Sequence, residues 1–286
     1  CDGTASDAAS VYSENCTGFV AGGTYVGDPL AYLAQGCTSH ANADGTYTVS
    51  QPTASVAASD GTAVSYGTFA EAWAAATDGS TLTLLADAAL SDEAVLDGKR
   101  SVTFDLNGFN VVFGKAGTIS ITEGELNVIN SVPGKGGTIS AVEEGSKAPF
   151  GVTGNTDAAT WSKVSTKSKL TIGAGVTVEA WASAVAIQGK GATLDVHGTL
   201  HGTYLHAAIQ GNGTVDATTN NGGTTATVYE GAVVEGGTGI FWPQSGTLTI
   251  KGGTVKGAYT GIEMRAGTLT MSDGEVVGNG PELVVN

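Results

Sequence analysis

The chain has 286 residues, room for one long domain or two smaller ones, and its 12 basic residues against 27 acidic leave a net charge of −15. That balance excludes a nucleic-acid partner, since little is left to neutralise a row of phosphates, and it disfavours an anionic lipid surface. Glycine is 44 of the 286 residues, only 14% are charged, and no apolar run is long enough to span a bilayer, so the composition excludes membrane insertion and suits a secreted or surface-attached protein.

The three cysteines, Cys1, Cys16 and Cys37, all precede residue 38. An odd number permits one disulfide, with Cys16 and Cys37 as the candidate pair, or free thiols. With only His40 nearby they do not make a four-ligand zinc site, so neither metal nor cofactor is expected. Residues 1–52 read as a small separate unit, the end of a preceding module. It holds a strand over 19–25 with a Gly22-Gly23 bend, a helical turn opened by Asp28-Pro29, and an Asp44-Gly45 turn feeding a strand that ends at Val49. Residues 53–65 read as a linker or an irregular strand.

At Thr68-Phe69-Ala70-Glu71 the pattern becomes helical. Thr68 is the N-cap and Glu71 closes a capping box. Phe69, Ala72, Trp73 and Ala76 fall on one face of a helix over 69–76, and Asp78-Gly79 stops it. A stack of repeats exposes apolar core at its first turn, and this helix is read as its cover, which assigns Trp73 to packing.

From Ser80 onward only strands and turns are predicted. They fall at 81–85, 94–96 and 102–106, then, after an Asn107-Gly108 corner, at 111–113, 118–121 and 126–129. Residues 143–168 break the rhythm and read as a coil with a protruding loop carrying Trp161. Over 224–278 a phrase repeats: Thr225-Ala226-Thr227-Val228 returns 22 residues later at Thr247 and 21 later at Thr268. A column of Ile187, Ile209, Ile240, Ile262 and Val284 keeps a 22-residue step except between Ile209 and Ile240, where residues 218–223 are read as an insertion.

Alternation places Leu170, Leu194, Ala226, Leu248 and Leu269 inward. It places two columns outward: Lys169, Thr193, Thr225, Thr247, Thr268 and Thr171, Asp195, Thr227, Thr249, Thr270. The expected fold is all-β, a right-handed parallel β-helix over residues 66–286 with coils of about 22 residues and a short N-terminal capping helix. A β-sandwich is disfavoured by the steady step. The pattern breaks off in mid-turn at both ends, so a fragment truncated at its C-terminus is expected.

Three passages carry a family likeness: residues 66–72 with 79–87, the Phe104-Asp105-Leu106-Asn107-Gly108 corner, and residues 19–49 with Gly22-Gly23-Thr24-Tyr25 and Asp44-Gly45-Thr46-Tyr47. Together they resemble the pectin-lyase-like parallel β-helix modules of large bacterial cell-surface and adhesin proteins. The resemblance implies a secreted or cell-wall location and a non-catalytic role in adhesion or display. It also implies a surface glycan or protein of host or bacterium as partner, and further modules in the same chain. The same architecture carries polysaccharide lyases and glycoside hydrolases, which stand as the alternative, and an ice-binding solenoid is a second alternative.

Candidate sites are few. Polysaccharide cleavage needs clustered carboxylates; no carboxylate pair recurs in adjacent turns, and no catalytic residue is assigned. Glu263 and Arg265, two apart on a strand, read as a surface ion pair, and Asp195 and His197 face outward in the same way. The column beside the isoleucines reads Gln188, Gln210, Phe241, Glu263. With Trp242 and Tyr259 near, it makes a face of amides, an aromatic ring and a carboxylate suited to glycan recognition, and Arg265 and Trp161 are further candidate binding residues. Trp242 points inward if alternation holds from Ile240. The threonine columns would suit ice but are interrupted by Lys169 and Asp195. His197, His201 and His206 have no recognised ligand spacing. The segments that break the repeat, 143–168 and 218–223, are further places to expect contact.

Overall fold

The computed structural model describes residues 17–155, 167–203, 205–212 and 223–280. Near the N-terminus, strands Gly23–Tyr25, Thr38–Ala41 and Tyr47–Ser50 form a small antiparallel sheet with Tyr47–Ser50 in the middle. Its own core is Val20, Tyr25 and Val49. At the predicted Asp44-Gly45 turn, Asp44 Oδ1 accepts from the Thr46 N–H at 3.0 Å.

Residues 53–65 are not a linker. Ala54–Ala57 and Ala63–Tyr66 form an antiparallel hairpin, and Ala54–Ala57 also pairs antiparallel with Ser80–Leu84. Ala54 and Val56 lie in the main core. The turn is Asp60-Gly61: Asp60 Oδ1 accepts the Thr62 N–H at 2.8 Å, a bond that also holds the Asp60 carboxyl below the usual carboxylate range.

The helix spans Phe69–Ala75 with both halves of the capping box formed. Its predicted apolar face is buried, and the Phe69 ring lies 5.1 Å from that of Phe104. Trp73 packs in the core and donates its indole N–H to Val95 O at 3.2 Å. Arg100 Nη1 donates to Ala76 O at 2.8 Å and so meets the carbonyl end of the helix.

The rest is β-structure, dominated by one long sheet of parallel pairings. Strands feed three ladders in rotation. The first takes Ser80–Leu84, Arg100–Asp105, Gly124–Ile129, Ser168–Ile172, Ala192–Val196 and Thr224–Val228, then the starts of Gly246–Met264 and Thr268–Gly278. The second takes Ala88–Leu90, Val111–Phe113, Thr138–Ala141, Thr177–Ala180 and Thr199–His201, then the start of Val233–Trp242 and later parts of the two long strands. The third takes Glu93–Leu96, Thr118–Ile121, Phe150–Thr153, Val185–Gln188 and Ala207–Gly211, then the ends of Val233–Trp242 and Gly246–Met264.

The first ladder pairs as alternation predicts. Leu170, Leu194, Ala226, Leu248 and Leu269 stand in one inward column, and the Lys169 and Thr171 columns run beside it. Leu248 is fully buried, whereas Leu269 is 42% exposed because it lies on the outermost strand of the stack. Within 143–168, Phe150–Thr153 is a strand of the third ladder with Phe150 and Val152 in the core. Trp161 and residues 218–222 of the predicted insertion lie outside the described residues.

The corner at 105–108 is held by side chains. Asp105 Oδ1 accepts from the N–H groups of Asn107 (2.8 Å) and Ser131 (3.0 Å). Asn107, at φ 48, donates through Nδ2 to Leu84 O at 2.9 Å. One turn on, Asn130 Oδ1 accepts the Gly108 N–H at 2.8 Å. Short amide and carboxylate side chains thus replace the backbone ladder where the chain bends away from it.

Candidate ligand-binding face

The outward column of the third ladder reads Val95, Ser120, Gly151, Ala186, Gln210, Phe241, Glu263. This corrects the sequence reading at one point. Ile209, Ile240 and Ile262 do stack, but Ile209 sits opposite Val185, and Ile187 sits opposite Gly211. The corner between the second and third ladders is two residues longer in that turn, running from 201 to 209 against 179 to 185. Gln188 is therefore not in line with Gln210. It stands in the neighbouring column, opposite Thr153. Val284 lies outside the described residues.

In the corrected register three small residues, Ser120, Gly151 and Ala186, stand in line on this face. Along one side runs a row of polar groups: Gln188 Nε2 donates to Thr153 Oγ1 at 3.5 Å, and Asn212 Nδ2 donates to Gln188 Oε1 at 2.7 Å. Asn212 and Thr153 were not foreseen as site residues, and the signal for both was the true strand register. Further along, the Gln210 amide donates to Gly211 O at 3.0 Å, and Phe241 follows Gln210 in the column. Arg265 lies over that ring, its guanidinium carbon 4.8 Å from the centroid, and makes two bonds to Glu263 Oε1 at 2.8 and 2.9 Å. Stacking and ion pairing together fix the fork, which leaves its remaining N–H groups to face solvent.

Behind this face the protein is apolar but not fully satisfied. Trp242 points inward and is completely buried, as alternation from Ile240 requires, and its indole N–H has no partner. Gln244 is also buried. Its Oε1 accepts the Asn212 N–H at 3.0 Å while its Nε2 is unpartnered.

The other predicted polar residues are engaged in contacts of their own. On the first ladder Lys169 Nζ lies 2.9 Å from Asp195 Oδ2, and this hydrogen bond raises the lysine above its ordinary value against the opposing effect of burial. Tyr229 Oη donates to Asp195 Oδ1 at 3.4 Å, and His197 stacks on the Tyr229 ring at 4.1 Å. Lys251 Nζ lies 5.2 Å from the same ring centroid. His201 lies 3.9 Å from Glu235, and His206 packs at 4.9 Å against Trp181. Among the described residues no group of three or more His, Cys, Asp or Glu side chains could hold a metal ion, and no helix is long and apolar enough to cross a membrane. Cys37 carries a free thiol whose Sγ lies 3.6 Å from Ala21 O; its candidate partner Cys16 is outside the described residues.

No family model, curated protein or solved structure matches this chain.

Proposed function

We propose that the chain is a right-handed parallel β-helix module of a secreted or cell-surface protein, acting without catalysis in adhesion or ligand display. The rotation of strands through three parallel ladders supports the β-helix, and the buried apolar face of helix Phe69–Ala75 supports its role as the cap of the first turn. The likeness of residues 66–87 and 104–108 to bacterial surface modules supports the location. The partner is a surface glycan or protein.

One observation carries the reading: a face of small residues, Ser120, Gly151 and Ala186, with the hydrogen-bonded Thr153–Gln188–Asn212 row beside it and Phe241 beneath Arg265 further along the column. Planar amides beside an aromatic ring match the alternating hydroxyl edges and apolar faces of sugars, and an Arg-covered aromatic suits a protein loop equally. Polysaccharide cleavage would need two carboxylates free to address one sugar ring, and the Glu263 carboxylate on this face is already held by Arg265.

The test is a screen of the immobilised chain against a broad glycan array and a panel of host and bacterial surface proteins. At least one specific binder is expected, and Phe241→Ala or the double change Gln188→Ala/Asn212→Ala should weaken it about tenfold, near 1.4 kcal/mol. A screen that returns nothing above background defeats the proposal.

A further inference from the structure

Among the described residues the strand Thr268–Gly278 pairs only with Gly246–Met264. In that pairing Leu269 stands against Leu248, Met271 against Ile250 and Val276 against Val255. Leu248, Ile250 and Val255 are fully buried, whereas Leu269, Met271 and Val276 are 42%, 46% and 39% exposed. The apolar columns of the first two ladders therefore run into solvent here, beside the unpaired N–H and C=O groups of a free strand edge. A strand laid along this edge would bury all three side chains and extend both ladders by one member.

The charges on the edge say what kind of strand fits. Between Thr268 and Gly278 there is no Lys or Arg, and Asp273 and Glu275 make no ion pair among the described residues. On the buried side of the same strand, Lys251 stands opposite Asp273, and Lys256 stands two places beyond Thr254, the residue opposite Glu275. Long side chains reach such diagonal neighbours. A second copy of the chain is a poor occupant, because pairing this edge with itself would gather four carboxylates in a molecule whose net charge is already −15.

We infer that this edge is a docking site for an extended basic segment of a different polypeptide. The segment adds as a parallel strand, as the other members of these ladders do, with apolar residues over Leu269, Met271 and Val276 and with lysine or arginine beside Asp273 and Glu275. It bends at a glycine where the edge itself bends, at Asp273-Gly274, whose glycine has φ 97. The inference goes beyond the adhesive reading, since none of these residues belongs to the outward column of the third ladder.

The experiment uses the 286-residue chain and a labelled synthetic peptide with the sequence of residues 246–256, the segment that already pairs with the other side of this strand and carries both lysines and a Gly-Gly bend. Binding is followed by fluorescence anisotropy. The peptide is expected to bind, and Leu269→Asp and Met271→Lys should each weaken it about tenfold. Glu275→Lys should weaken it about threefold, as should a rise in salt from about 50 to 500 mM. Val112→Lys, at a 58% exposed apolar position on another strand, should leave binding unchanged. Thermal melts matching the parent show that each variant is folded. The inference is overturned if the peptide does not bind, if a scrambled peptide of the same composition binds equally, or if exchanging both peptide lysines for glutamate has no effect. It is also overturned if Val112→Lys weakens binding as much as Met271→Lys, or if sedimentation of the chain alone shows a dimer that Met271→Lys dissolves, which makes a second copy the occupant. A glycan screen that returns nothing leaves every one of these outcomes unchanged.

Discussion

Single residues in this chain are constrained most tightly where backbone meets backbone. Gly124 opens a first-ladder strand at φ 135, and a Cβ there would meet the Arg100 carbonyl oxygen of the strand below. Gly124→Ala therefore combines a left-handed backbone with a steric clash, and a loss of about 2–3 kcal/mol is expected, read as a lower midpoint in urea unfolding. Trp242 makes the opposite case, since its buried ring fills core although its N–H is unpartnered. Trp242→Ala should cost about 3–5 kcal/mol, and an unchanged melt would contradict its place in the core. Lys169 supplies a pH test. Its folded-state value lies above the ordinary 10.5, so the Asp195 contact stabilises fully below that value and fades as pH rises through the raised one. The gap in melting temperature between the parent and Asp195→Asn should be small at pH 8, because the pair is partly exposed, and should close as pH rises past the lysine's raised value. A gap that widens with pH would refute the assignment.

Elements were legible in proportion to how strongly their residues differ from one another. The helix announced itself through Thr68 and Glu71 three apart and through two large rings on one face, and the structure keeps both. Thr68→Ala removes half of the capping box and should lower stability by about 1 kcal/mol in a thermal or urea melt; no change would mean that the cap is redundant with core burial of Phe69. The first ladder was equally legible, because threonine alternates there with leucine or isoleucine. The hairpin at 54–66 was missed because its inward residues are Ala54 and Val56 among other small side chains, so the contrast between its faces is weak. Gln188 was misplaced for a different reason. A repeat measured between isoleucines is blind to where within a turn the extra residues sit, and two extra residues in one corner shifted the third ladder alone.

At the scale of the whole sheet, the first and last described strands differ in kind. At the first, Ala54–Ala57 lies antiparallel on Ser80–Leu84, and Phe69, Ala72 and Trp73 of the helix belong to the same core. At the other, Thr268–Gly278 leaves Leu269 and Met271 in water, although their neighbours one strand earlier, Leu248 and Ile250, are fully buried. This asymmetry has a mechanical meaning. In a stack of parallel strands each turn is gripped by the turn before it, so a load applied at the open edge is borne by one strand pairing at a time. Drawn from that side, the protein should come apart as a zipper does, its turns releasing 21–24 residues or about 70–85 Å of extended chain, except at the longer steps of 32 residues from Thr193 to Thr225 and 44 from Gly124 to Ser168. Drawn from the hairpin side it should resist until the antiparallel clasp shears as a unit. Single-molecule pulling along the two directions would read this as a low, regular sawtooth in one case and a single higher rupture in the other.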